Sequence, residues 1–137
     1  MTTATPDFEK IVKVLHNLTG SPHTGLDRLH RTDSYIEATD AYKLVRVFGT
    51  FNDSHEYARE FPNTDATIPT EDPQIRVLVD AQYLADTAKA LLAIHKAQKN
   101  KKKALVWLEI PAGNTRKPLC FKAHDGVSLA LLMPCHE

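Results

Sequence analysis

Apolar residues recur at helical spacing in two separate stretches of this chain, and each stretch is followed by short runs rich in β-branched and aromatic residues. A hydrophobic period that switches twice from 3.6 to 2 requires helices packed on sheets, which confines the chain to the mixed classes. In the first stretch Phe8, Ile11, Val12, Leu15 and Leu18 share a face, with Glu9, Lys10, Lys13, His16 and Asn17 opposite. Thr5 can accept a hydrogen bond at the N-cap, Pro6 suits the first helical position, and Gly20 offers a stop. In the second stretch Asp80 caps a helix predicted from Ala81 to about Gln98, with Leu84, Ala88, Leu91 and His95 on one face.

Between the helices, residues 26–51 read as strands, with a turn at Thr32-Asp33-Ser34 and the richest β-forming run over 35–48. Residues 52–73 turn polar and carry Pro62, Pro69 and Pro73, which predicts a surface crossing with one short strand over 56–61. A short strand is expected over 75–79, ahead of the second helix. Three more are expected after it, over 104–110, 119–123 and 127–133, separated by turns at 111–114 and 124–126. The expected fold class is α+β: two β-α-β-type halves, about 5–60 and 74–135, with hairpin-linked, mainly antiparallel strands and both helices on one face.

At 137 residues the chain is one domain long and has enough apolar residues for a core without metal or disulfide support. Lys+Arg and Asp+Glu are both 17, so any nucleic-acid contact must come from a local patch rather than from overall charge. Two cysteines, Cys120 and Cys135, make no disulfide framework, and the N-terminus lacks the layout of a signal peptide. No apolar run approaches the ~20 residues that span a bilayer. The expected setting is cytoplasmic, with no membrane partner.

Three stretches, taken in order, carry a family resemblance. Ala38-Thr39-Asp40-Ala41-Tyr42-Lys43-Leu44 resembles an A-T-D-G-[HY]-R-L motif; Val79, Tyr83-Leu84, Asp86 and Lys89-Ala90-Leu91 resemble a V-x-x-x-Y-L-x-D-x-x-K-A-L unit; and Leu131-Leu132-Met133-Pro134 resembles a terminal V-V-M-P-M-R-L. All three motifs are typical of the bacterial DNA polymerase III beta subunit, the DNA sliding clamp. The chain departs from them at Ala41, where the family has glycine, at Lys43, where it has arginine, and in the tail Cys135-His136-Glu137. Residues 61–69 also resemble a clamp segment, one that joins two clamp domains, whereas here it lies between two halves of one.

The resemblance implies a single DNA-clamp-like domain over 1–137 with two β-α-β-β-β halves. It implies a non-enzymatic module associated with DNA replication in a bacterial or phage setting, which encircles double-stranded DNA as a homo-oligomer without sequence preference. Its partners would be replication proteins carrying clamp-binding peptides. Thr39, Ala41, Tyr42, Lys43 and Leu44 would line one side of a peptide pocket, and Leu131, Met133 and Pro134 the other. A polarizable methionine with branched aliphatics suits an extended apolar anchor. The plainer reading makes Leu44, Leu131 and Met133 core strand residues. The alternative function is a monomeric or dimeric clamp-fold adaptor or modulator that binds protein and not DNA.

The densest basic cluster is Lys96, Lys99, Lys101, Lys102 and Lys103, at the end of the second helix, with Lys89 on the same helical stripe as Lys96. Together with Lys10 and Lys13, these are the residues the resemblance would set facing DNA phosphates. The plain alternative is a solvated lysine turn complementing the helix dipole. Few aromatics are interleaved with these lysines, which does not favour stacking on single-stranded bases. Cys120, His124, Cys135 and His136 lack the spacing of a zinc site, so no metal or cofactor is called for. No phosphate loop or nucleophile motif is present, so no catalytic residue is assigned. Asp40 with Lys43 reads as an inter-strand ion pair.

Overall fold

The computed structural model describes residues 7–51, 56–99, 102–113 and 116–135, arranged as two compact units, Met1–Pro69 and Thr70–Glu137. Each unit is a helix followed by a three-stranded antiparallel meander, so the fold is α+β. Among the described residues no helix is long and apolar enough to cross a membrane.

In the first unit, helix α1 spans Phe8–His16. Its cap is Asp7, whose carboxylate accepts from the Lys10 amide at 3.2 Å; Thr5 and Pro6 lie outside the described residues. Such a cap contributes about 1 kcal/mol by satisfying an orphan amide. The helix ends at Asn17, three residues before Gly20. Gly20 has a different job: a Cβ there would sit 3.1 Å from the Leu26 Cβ and from Thr24 Oγ1, and its amide donates to the Leu26 carbonyl at 2.9 Å. A side chain at this close return of the chain would force Leu26 or Thr24 to shift by a few tenths of an ångström.

Strands β1 (His30–Arg31), β2 (Tyr35–Thr39) and β3 (Leu44–Phe48) follow, in sheet order β1-β2-β3. The β2–β3 register pairs Ile36 with Val47 and Glu37 with Arg46. Because side chains alternate across a sheet, Ile36 and Ala38 fall on the face that α1 covers. There they bury with Val12, Leu15, Leu29 and Phe51, and the Phe8 and Phe51 rings lie 5.0 Å apart. Leu15, Leu29 and Ile36 are each at most 1% exposed. Fully burying side chains of this size stabilises by about 1.5–3 kcal/mol apiece.

The other face of β2 is buried as well, which alternation alone would not predict. It is covered by residues 61–67, ending in a 3-10 turn at Thr64–Thr67. The surface crossing expected over 52–73 is therefore, over its 61–67 part, a lid on the first sheet. No strand forms over 56–61: Ala58 makes one backbone bond to the Leu29 carbonyl at 2.8 Å, and the proline at 62 cannot donate to a ladder.

In the second unit, helix α2 spans Ala81–Ala97, and the expected cap forms: Asp80 accepts from the amides of Gln82 (2.7 Å) and Tyr83 (3.3 Å). Strands β4 (Val106–Glu109), β5 (Leu119–Ala123) and β6 (Leu129–Leu132) pair in order β4-β5-β6. The strand expected over 75–79 does not form. That stretch is extended and makes one rung, Cys135 N–H to the Leu78 carbonyl at 2.7 Å, too little for a ladder. Among the described residues neither helix has a leading strand, so each half is α-β-β-β rather than β-α-β-β-β. Burial in this unit is sparse: among the described residues, Leu91 on α2, Leu119 on β5 and Leu132 on β6 are its buried apolar side chains.

Candidate functional site

The β2–β3 turn is where the resemblance set its strongest motif, and it is held by its own side chains. Thr39 Oγ1 donates to the Lys43 carbonyl (2.7 Å) and accepts from the Ala41 amide (3.2 Å). Asp40 Oδ1 accepts from the amides of Tyr42 (2.9 Å) and Lys43 (3.0 Å), while the Lys43 ammonium reaches Oδ2. The Asp40–Lys43 pair is thus internal to the turn and does not link strands. The Lys43 ammonium first, and then the Tyr42 amide, hold the Asp40 carboxyl well below its ordinary value, at about 2. Ala41 sits at φ 78°, a left-handed conformation that glycine adopts freely and alanine does not.

This turn forms one wall of a concavity of about 360 Å³. Thr39, Ala41, Tyr42, Lys43 and Leu44 line it on one side, Leu26 and residues 62–64 and 67 on the other. Tyr42 stands 91% exposed at its rim. All five first-side residues named from sequence therefore meet in one place. Leu131 lies on β6 of the second unit, with Met133 and Pro134 just after it. Leu131 and Met133 are 58% and 62% exposed, so neither is a core residue.

Beneath the concavity lies a buried polar cluster that the sequence reading missed. Glu37 is fully buried, and its carboxylate accepts from Thr64 Oγ1 (2.8 and 2.9 Å) and from Arg46 Nε and Nη2 (3.3 and 3.1 Å). His30 Nδ1 lies 2.7 Å from Oε2; facing an acceptor-only carboxylate, that nitrogen carries the proton. Arg46 also donates to Asp65 at 2.8 Å and stacks over the Tyr35 ring at 3.7 Å, while His30 stacks on Phe61 at 4.6 Å. Burial pulls the Arg46 pKa down, but the bonds to Asp65 and Glu37 outweigh it and leave the guanidinium above its ordinary range. No buried side-chain polar atom among the described residues lacks a partner. With no buried polar side-chain atom left unpartnered, the cluster fixes residues 61–67 onto the sheet, and with them the far wall of the concavity. In sequence, Glu37 and Arg46 alternate with apolar neighbours and so resemble ordinary solvent-face residues; the turn at 40–43 was the available clue that they are cross-strand partners.

The lysines distribute over both units. Lys10 and Lys13 are exposed on α1; Lys89, Lys96 and Lys99 are exposed on or just after α2; Lys102 and Lys103 precede β4. Lys101 lies outside the described residues. Lys102 and Lys103 line a second hollow, of about 350 Å³, with His95, Leu105, His124 and Asp125. Cys120 is half-buried and Cys135 exposed, both as free thiols. Comparison with family models, curated proteins and solved structures found no match to this chain.

Proposed function

We propose that this chain is a non-enzymatic, clamp-like module of DNA replication whose first-unit concavity captures short extended peptides of partner proteins. The observation that carries the reading is that Thr39, Ala41, Tyr42, Lys43 and Leu44, the residues the clamp resemblance assigns to a peptide pocket, line one concavity of about 360 Å³. Its far wall is fixed in advance by the Glu37–Arg46–Thr64 cluster, so little ordering entropy is lost when a peptide docks. The exposure of Leu131 and Met133 supports a binding role for them over a packing role. Tyr42 offers an amphipathic ring to an aliphatic or aromatic anchor at low conformational cost.

In this proposal the exposed lysines of the two helices make the sequence-independent DNA contact, and ring closure by self-association encircles the duplex. The equal numbers of acidic and basic residues favour the adaptor alternative, in which protein is bound and DNA is not. Two measurements separate these. Fluorescence polarisation with a labelled peptide bearing apolar anchors should report binding that Leu44→Ala and Tyr42→Ala each weaken at least tenfold; unchanged affinity in both variants would sink the pocket. Light scattering with and without circular duplex should report a closed oligomer retained on DNA at low salt. A strict monomer at high micromolar concentration that ignores DNA leaves only the adaptor.

A further inference from the structure

The hollow lined by Lys102, Lys103, His95 and Asp125 does not end at its basic wall. A second hollow of about 280 Å³, lined by Leu105, Val106, Trp107 and His124, shares Leu105 and His124 with it. The two therefore adjoin, one basic and polar, the other aromatic and apolar. Trp107 is 62% exposed, and its ring centroid lies 6.0 Å from that of His124. The arrangement is built by backbone: the His124 amide donates to the Leu105 carbonyl at 2.8 Å, which pins the β5–β6 turn beside the entry to β4. From the other side His95 donates through Nε2 to the Lys102 carbonyl at 2.7 Å, pinning the chain that carries the lysines against the end of α2. Asp125 is the acidic residue among the described lining. Asp125 Oδ1 accepts from the Val127 amide at 3.0 Å, and Oδ2 faces His95 Nδ1 at 3.9 Å.

We infer that this pair of hollows is a nucleotide-binding site in the second unit, taking a base against the exposed indole of Trp107 and the attached phosphate against Lys102 and Lys103. An exposed aromatic face beside clustered ammonium groups is the combination that recognises unpaired nucleotides without reading their sequence, because every base has a π-face and every link a charge. A base inside a duplex is stacked on its neighbours and offers no such face. The site is independent of the peptide concavity of the first unit and of ring closure, and stands or falls apart from both.

Trp107 is the only tryptophan of the chain, so its emission reports the site directly. The test titrates the full chain with a dye-labelled oligothymidylate, with adenosine monophosphate, with a labelled duplex and with inorganic polyphosphate, following Trp107 emission throughout and anisotropy for the labelled strands. The expected result is quenching by the single strand, none by polyphosphate, and weaker binding of the duplex. Quenching by the mononucleotide to the same extent assigns the site to free nucleotides, and quenching by the oligonucleotide alone assigns it to strands. Trp107→Leu should weaken oligonucleotide binding about tenfold or more, and Lys103→Gln and Lys102→Gln severalfold each, with circular dichroism checking the fold. Binding that leaves Trp107 emission unchanged, or an affinity for polyphosphate equal to that for the oligonucleotide, overturns the inference. Duplex retention with no quenching by the single strand would also overturn it, while leaving the clamp reading intact.

Discussion

The two units share an α-β-β-β order yet are finished in opposite ways. The first sheet is covered on both faces, by α1 over Ile36 and Ala38 and by residues 61–67 over Glu37 and Thr39, and β2 is buried along almost its whole length. The second sheet is largely bare. All four residues of β4 are exposed, as are Leu129, Leu131 and Met133, and buried apolar side chains are few. The same local architecture thus yields one rigid unit with a preformed hollow and one unit whose sheet stays open to solvent. Trp107, Leu131 and Met133 are among these exposed apolar side chains, and both functional proposals draw on them.

The comparison is most sharply tested by removing what finishes the first unit. Glu37→Ala removes the buried carboxylate and leaves Arg46 with Asp65 and Thr64 alone; breaking a buried pair costs up to about 3–5 kcal/mol, and urea unfolding should register it. Leu15→Ala opens a cavity in the helix-side core and should cost about 2–5 kcal/mol. A smaller effect is expected at the turn. Ala41→Gly relieves the left-handed strain at φ 78° and should stabilise by about 0.5–1 kcal/mol, the relief slightly exceeding the added freedom of the unfolded chain.

Acid should act on that same turn. Because folding lowers the Asp40 pKa from 3.8 to about 2, its contribution is complete above its ordinary value and is lost as pH falls from there through about 2. The stability difference between the wild type and Asp40→Asn should accordingly be flat above pH 4 and shrink towards pH 2. The smallest effect belongs to the second unit: Leu131→Ser should change stability by less than about 0.5 kcal/mol, since the side chain is already in water. A large loss there would mean that the bare sheet is covered after all.

Much of the local structure was legible in the residues. The period of Phe8, Ile11, Val12 and Leu15 gave α1, Asp80 gave the start of α2, and the run 119–123 coincides with β5. The strand expected over 75–79 failed because β-branched composition states a preference for extended backbone, not the presence of a neighbour to pair with. The five residues 39 and 41–44 were named from the clamp resemblance alone; they meet in one concavity because they sit in one turn, where proximity along the chain guarantees proximity in space.

What the sequence determined by itself is therefore short-range: which segments are helical, where they are capped, and which turn carries a motif. Only the tertiary structure decided that Glu37 is buried, that residues 61–67 form a lid, and that His124 closes against Leu105 and Trp107. Each of these joins segments distant along the chain or reverses the ordinary preference of a polar side chain for water. Alternation gives the face on which Glu37 or Trp107 lies, but what covers that face is set by long-range closure of the chain, and no local pattern encodes it.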